Sequence, residues 1–131
     1  MIGIVIVSHS AKIAEGVVEL CYEMVDKDMK ILPAGGTADG RIGTDPMLIK
    51  SAIENAYSGD PVVILADIGS SIMNAEMAKE LLDEEIQEKT YILDTPIVEG
   101  GIAVSVQAYI SSNIEKILDV AEEARNTRKF S

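Results

Sequence analysis

Residues 2–7 read Ile-Gly-Ile-Val-Ile-Val, an apolar and largely β-branched run into which no polar residue alternates. A strand with one wet face alternates; a continuous apolar run marks a strand buried on both faces, as in a parallel sheet covered by crossover helices. The rest of the chain repeats the implied unit. After Ser8-His9-Ser10 the period changes, and Ile13, Val17, Leu20, Cys21 and Met24 predict the buried stripe of a helix, with Glu15, Glu19, Glu23 and Asp26 mostly off it. Residues 29–32 predict a short second strand, and Pro33 to Gly43, with four glycines and no apolar period, a long loop. Asp45-Pro46 predicts a helix start, since Asp accepts from free N–H groups and Pro suits the first turn, with Ile49, Ala52, Ile53 and Ala56 inward and Ser58-Gly59-Asp60-Pro61 ending it.

Val62–Ala66 is a third strand, followed by Asp67-Ile68-Gly69-Ser70-Ser71 and a helix through about Leu82 that turns Ala75, Ala78 and Leu82 inward. Thr90–Leu93 is a fourth strand and Asp94–Gly101 a turn. Ile102, Val106 and Tyr109 mark a helix interrupted at Ser111-Ser112-Asn113; Ile114, Ile117, Leu118 and Ala121 mark the last one, and residues 126–131 are expected to fray. This alternation predicts an α/β fold, a doubly wound, mainly parallel open sheet with helices on both faces. At 131 residues the whole chain, 1–131, is expected to be a single domain.

In such a sheet the loops after the strands emerge at one carboxyl edge, where ligands of open α/β sheets bind. That edge gathers Ser8-His9-Ser10, the glycine loop 35–43, Asp67–Ser71 and Asp94–Gly101. His9 is the only histidine of the chain. A lone histidine is more often structural than functional, but its place at the rim favours chemistry. With no second histidine and no cysteine pair beside it, no metal site is expected, which leaves nucleophilic or acid–base work. Asp67 reads either as a cap for the helix that follows or as the acceptor of the His9 N–H, fixing the tautomer and leaving the other ring nitrogen aimed at an electrophile. Gly69, Ser70 and Ser71 open a helix and so offer N–H groups and hydroxyls to an anion. Gly35, Gly36 and Thr37 are candidates for a second anion cradle, and Ser8 and Ser10, flanking His9, join the expected phosphoryl-stabilising set.

Several readings fail on spacing. Gly40 is followed by Arg41-Ile42 where a phosphate-binding Walker loop needs Lys and Ser or Thr, and Ser8-His9-Ser10 stands where a dinucleotide fingerprint would carry glycines. Met73 replaces the second glycine of a nucleophile elbow around Ser71. A phosphoacceptor receiver domain would need an acidic pair after the first strand. With 22 acidic against 11 basic residues and a net charge of −11, the chain repels nucleic acid and anionic membranes and suits a basic protein partner, or simply a solvated acidic surface. Cys21, the sole cysteine, excludes an internal disulfide and reads as an inert core residue. The apolar start lacks a basic flank and a cleavage site, and no run approaches the ~18 residues of a membrane helix, so a cytoplasmic location is expected.

Val7-Ser8-His9-Ser10, Glu15-Gly16-Val17, Ala34-Gly35-Gly36, Ile42-Gly43-Thr44-Asp45, Asp67-Ile68-Gly69-Ser70-Ser71, Ala75-Glu76, Glu80-Leu81-Leu82 and Pro96-Ile97-Val98-Glu99-Gly100 form an ordered set over roughly residues 1–118. As a set they resemble the mannose-type enzyme IIA family of the sugar phosphotransferase system. Ile42–Asp45 and Glu99-Gly100 tilt the resemblance toward the phosphocarrier subunits of phosphoenolpyruvate-dependent dihydroxyacetone kinases. The resemblance implies that His9 is phosphorylated on Nε2 by the histidine-containing phosphocarrier protein and passes the group to ADP on a nucleotide-binding partner subunit, which phosphorylates dihydroxyacetone bound to a third subunit. It implies a cytoplasmic homodimer with no cofactor of its own, ADP and ATP being carried by the partner. Two alternatives share the same histidine: an enzyme IIA that delivers phosphate to a sugar-transport enzyme IIB, and a regulatory phosphoacceptor module.

Overall fold

The structure is a computed structural model that describes residues 1–130. Four strands, β1 (Gly3–Ser8), β2 (Ile31–Gly35), β3 (Val62–Ala66) and β4 (Thr90–Leu93), form one sheet in the order β2-β1-β3-β4, and every pairing is parallel. Alternate residues of the central strands feed two cores. Ile4, Ile6, Val63 and Leu65 pack against α1 (Ala11–Tyr22), α5 (Ile97–Ile110) and α6 (Ile114–Asn126), while Val5, Val7, Ile64 and Ala66 pack against α2 (Pro46–Ala56) and α3 (Gly69–Glu80). This is the doubly wound α/β architecture, and burial on both faces is why the central strands β1 and β3 carry no polar alternation.

Strand β2 lies two residues later than the sequence reading, at Ile31–Gly35 rather than 29–32, so Pro33, Ala34 and Gly35 belong to a strand and not to the loop. Pro33 is tolerated because β2 is an edge and its register opposite Ile6 needs no N–H toward β1. The outward amide of Ile31 is also closed off: it donates to the Tyr22 hydroxyl, which itself donates to the Met29 carbonyl. The edge is thereby blunted.

Two helical stripes also differ. In α1 the inner face is Ala14, Val17, Val18 and Cys21, whereas Ile13, Leu20 and Met24 are about half exposed and Met24 lies beyond the helix. In α5, Glu99, Gly100 and Gly101 are already helical rather than part of a turn, and the buried face is Gly101, Val104, Ser105 and Ala108, with Tyr109 outside. The two helices ride close to each other and to the sheet: a Cβ on Gly101 of α5 would lie 3.3 Å from Val17 and 3.4 Å from the Cys21 Sγ, both in α1, and 3.8 Å from Ile6 of β1, while one on Gly35 of β2 would lie 2.9 Å from the Ala14 Cβ of α1. Small residues therefore take the inner face and the larger ones are displaced outward. Burial pushes the Cys21 thiol up, partly offset by the Ser105 hydroxyl, and so keeps it protonated.

Helix α2 keeps the expected stripe of Ile49, Ala52, Ile53 and Ala56, with Asp45 Oδ1 accepting from the Met47 amide at 2.9 Å. A short helix, α4 (Glu84–Glu88), precedes β4 where no element was anticipated. Beyond α6 the segment expected to fray is tied in part, by the Thr127 hydroxyl donating to the Glu123 carbonyl and by a Lys129–Glu99 ion pair; Ser131 lies outside the described residues. Among the described residues no helix is long and apolar enough to cross a membrane.

Candidate functional site

The chain leaves β1 toward β2 on one side and later places β3 on the other, so the loops after β1 and β3 diverge and leave a crevice at the carboxyl edge between them. His9 follows β1 and Asp67 follows β3. The Asp67 amide donates to the Val7 carbonyl, which continues the β1–β3 ladder by one bond and fixes the two loops against each other.

Asp67 is held by five donors. Oδ2 accepts from the Ser8 hydroxyl at 2.8 Å and the His9 amide at 3.1 Å, and Oδ1 from His9 Nδ1 at 3.1 Å, the Ile68 amide at 2.8 Å and the Ser71 hydroxyl at 2.6 Å. Burial by itself would raise this carboxyl, but the hydrogen bonds from Ser71, Ser8, His9 and Ile68 outweigh it and hold Asp67 well below the usual carboxylate range. The group is thus ionised and accepts only. Nδ1 must then carry the ring proton, which assigns the imidazole tautomer from the network, and the lone pair sits on Nε2. Ser71 Oγ lies 2.9 Å from Nδ1 as well, and reinforces that tautomer.

The backbone of His9 is pinned as firmly as its ring, with its carbonyl accepting from the Gly43 amide at 2.8 Å. Nε2 faces the Ser70 hydroxyl at 2.5 Å on the exposed side of the rim. Ser70 belongs to the first turn of α3, whose N-cap, Ile68, supplies no side-chain hydrogen bond. The Gly69 and Ser70 amides have no partner among the described residues, so the positive end of the helix opens beside Nε2. Chemically this is a nucleophilic nitrogen backed by a fixed anion and facing two free donors and a hydroxyl.

The structure does not gather all the expected phosphoryl-stabilising residues. Ser8 is fully buried, with its hydroxyl spent on Asp67 and on the Ser10 amide. The Ser10 hydroxyl caps α1 by accepting from the Ile13 amide. Ser71 is likewise buried, its hydroxyl on Asp67 and its amide donating to the Ile68 carbonyl. The Gly36 amide donates to the Ser8 carbonyl, and the Thr37 amide and hydroxyl close a turn with Arg41 and Asp39. Gly35 and Gly36 serve close approach instead of anion binding: a Cβ on Gly35 would lie 2.6 Å from the Ser10 carbonyl oxygen, and Gly36 has φ +73°. Gly69 and Ser70 alone keep groups free at the rim. The sequence reading missed that Ser8 and Ser71 hold Asp67, and that the Asn74 amide reaches the Thr44 hydroxyl, tying the loop before α2 to α3. Only the clustering of small polar residues at strand ends signalled such a network.

Compared with known proteins, residues 3–118 match the EIIA-man family, PTS system fructose IIA component. The phosphoryl donor subunit DhaM of PEP-dependent dihydroxyacetone kinase 2 from Listeria innocua serovar 6a is 47% identical over 118 residues, covering 90% of this chain and 94% of that protein. The corresponding DhaM of Escherichia coli K12 is 39% identical over 132 residues; the match takes in 98% of this chain but 28% of that longer protein. A crystal structure of a protein of unknown function superposes with a TM-score of 0.88 at 35% identity, over 98% of both chains.

Proposed function

Because the chain belongs to the EIIA-man family, we propose that it is the phosphoryl-carrying subunit of a phosphoenolpyruvate-dependent dihydroxyacetone kinase, with residues 1–131 acting as one phosphocarrier domain. The observation that carries this reading is the orientation of His9, with Nδ1 bound to an ionised Asp67 and Nε2 presented at the rim. In the first step the Nε2 lone pair attacks the phosphorus carried by the histidine-containing phosphocarrier protein, and the donor's P–N bond breaks. The proton stays on Nδ1, and the Asp67 carboxylate balances the positive charge that the ring acquires. The Ser70 hydroxyl swings from the nitrogen to a phosphoryl oxygen, which the Gly69 and Ser70 amides also face. In the second step an oxygen of the terminal phosphate of ADP, held on a partner subunit, attacks the phosphorus; the P–Nε2 bond breaks and its electron pair returns to the ring. The partner then phosphorylates dihydroxyacetone held by a third subunit. The protein works in the cytoplasm as a homodimer and needs no cofactor of its own.

The family's description as fructose IIA components favours a second reading, delivery to an enzyme IIB of sugar transport. The relatives named as dihydroxyacetone kinase subunits weigh toward the first. Reconstitution with phosphoenolpyruvate, enzyme I and the phosphocarrier protein should give an acid-labile label on the native chain and none on His9→Ala. The label should pass to ADP only when the nucleotide-binding subunit is added. Discharge to an enzyme IIB domain alone would reassign the protein to sugar transport, and undiminished labelling of His9→Ala would remove His9 from the reaction.

A further inference from the structure

Residues 124–131 contain three of the chain's 11 basic residues, Arg125, Arg128 and Lys129, and none of its 22 acidic ones. The described part of this basic stretch, through Phe130, is placed at the carboxyl edge. Arg125 Nη1 reaches from the end of α6 to Asp94 at 2.7 Å, just past β4, and Lys129 pairs with Glu99 in the first turn of α5 at 3.4 Å. The stretch therefore lies along residues 94–99. Arg125 lines, together with Asp67, Ile72, Thr95 and Pro96, a cavity of about 210 Å³ that opens beside the carboxylate holding His9. Since β4 stands two strands from β1, the loop that carries these ion pairs is offset by about 10 Å from His9, well inside the footprint of one protein partner.

The charges matter because of what must approach Nε2. Resting on the reading above, the acceptor brings a nucleoside diphosphate to a phosphorylated histidine, and the acidic groups Asp39, Asp45, Asp67, Asp94 and Glu99 stand around that approach. Arg41 already pairs with Asp39 at 2.8 Å. Arg125 and Lys129 offset Asp94 and Glu99, while Arg128 is exposed and has no ion-pair partner among the described residues. Phe130, 85% exposed, stands two residues beyond that free cation and adds an apolar side chain to the segment. We propose that the segment Arg125–Phe130 is the docking element for the nucleoside-diphosphate-bearing acceptor subunit, its cations favouring the approach of the bound diphosphate to the rim beside His9. The phosphocarrier that charges His9 makes no use of it.

The test separates the two half-reactions in the full-length Arg128→Glu/Lys129→Glu variant, whose substitutions fall on exposed side chains and leave the core alone. Charging from phosphoenolpyruvate, enzyme I and the phosphocarrier protein should stay within about twofold of native. The KM for the ADP-loaded acceptor subunit should rise about tenfold at low salt, with a flatter salt dependence, since rim charges govern association. Arg128→Lys/Lys129→Arg should restore native behaviour. Unchanged KM, or an equal loss in both half-reactions, would overturn the proposal, as would a loss confined to charging. If the native protein itself fails to discharge to the ADP-loaded subunit, the proposed function fails as well; if it discharges normally and the variant does too, only the docking role is lost.

Discussion

Replacing Asp67 by Asn removes the charge behind His9 while keeping the shape of the side chain. The carboxylate accepts five hydrogen bonds, and no orientation of a carboxamide can accept all five. With the new NH₂ on the side of Ser8, the serine hydroxyl can turn to accept from it, but the His9 amide loses its acceptor. An unsatisfied, partly buried amide costs about 1–3 kcal/mol of stability, which a single domain of this size survives. The effect on transfer is separate. A charge-assisted hydrogen bond to the imidazolium becomes a neutral one in a site only about one-fifth exposed, and the loss expected is about 10²-fold in rate, equivalent to about 2.7 kcal/mol. Rapid-quench charging of Asp67→Asn by the phosphocarrier protein, on protein whose circular dichroism matches native, measures it. Stability against pH gives an independent reading. Asp67 has a lower pKa folded than unfolded, so its contribution is present above the unfolded value near ~3.9 and is lost as pH falls through the folded one, because the unfolded chain takes up the proton first. Urea unfolding between pH 7 and pH 3 should therefore show a shallower acid loss for Asp67→Asn than for the native protein. Native-rate charging together with an unchanged acid slope would refute the argument and leave Asp67 as a loop tie.

Two further changes probe the surroundings of Nε2. Ser70→Ala removes the hydroxyl 2.5 Å from Nε2 and with it a donor for the phosphoryl group, so both transfer and the half-life of the phosphorylated protein should fall roughly tenfold; faster charging would mean that Ser70 only obstructs the nitrogen. Gly35→Ala puts a Cβ 2.6 Å from the Ser10 carbonyl oxygen and 2.9 Å from Ala11 Cα, both backbone atoms, and should cost about 1–3 kcal/mol in urea unfolding. Gly16→Ala, in α1 with nothing within 4 Å of the added carbon, should instead stabilise by about 0.5–1 kcal/mol.

The apolar runs of β1 and β3 and the Asp45-Pro46 start of α2 were legible because each rests on local chemistry: strands buried on both faces must be continuously apolar, and a helix start needs its cap beside it in sequence. The rim position of His9 followed from the same logic, since βα alternation sends every loop after a strand to one edge. Other features belonged to the tertiary structure. Which residues of α1 and α5 face inward depended on how closely those helices approach each other and the sheet, distances that favour Ala14, Gly101 and Ser105 over the bulkier Ile13, Leu20 and Tyr109. Whether Pro33 sits in a strand depended on β2 being an edge. The glycines and hydroxyls at the rim advertised an anion site alike in sequence, yet Ser8, Ser71, Gly36 and Thr37 spend their donors within the fold and only Gly69 and Ser70 keep theirs free. Sequence sets which residues can donate a hydrogen bond; which donors remain available is settled by neighbours that lie about 60 residues apart along the chain and meet only when strands β1 and β3 pair.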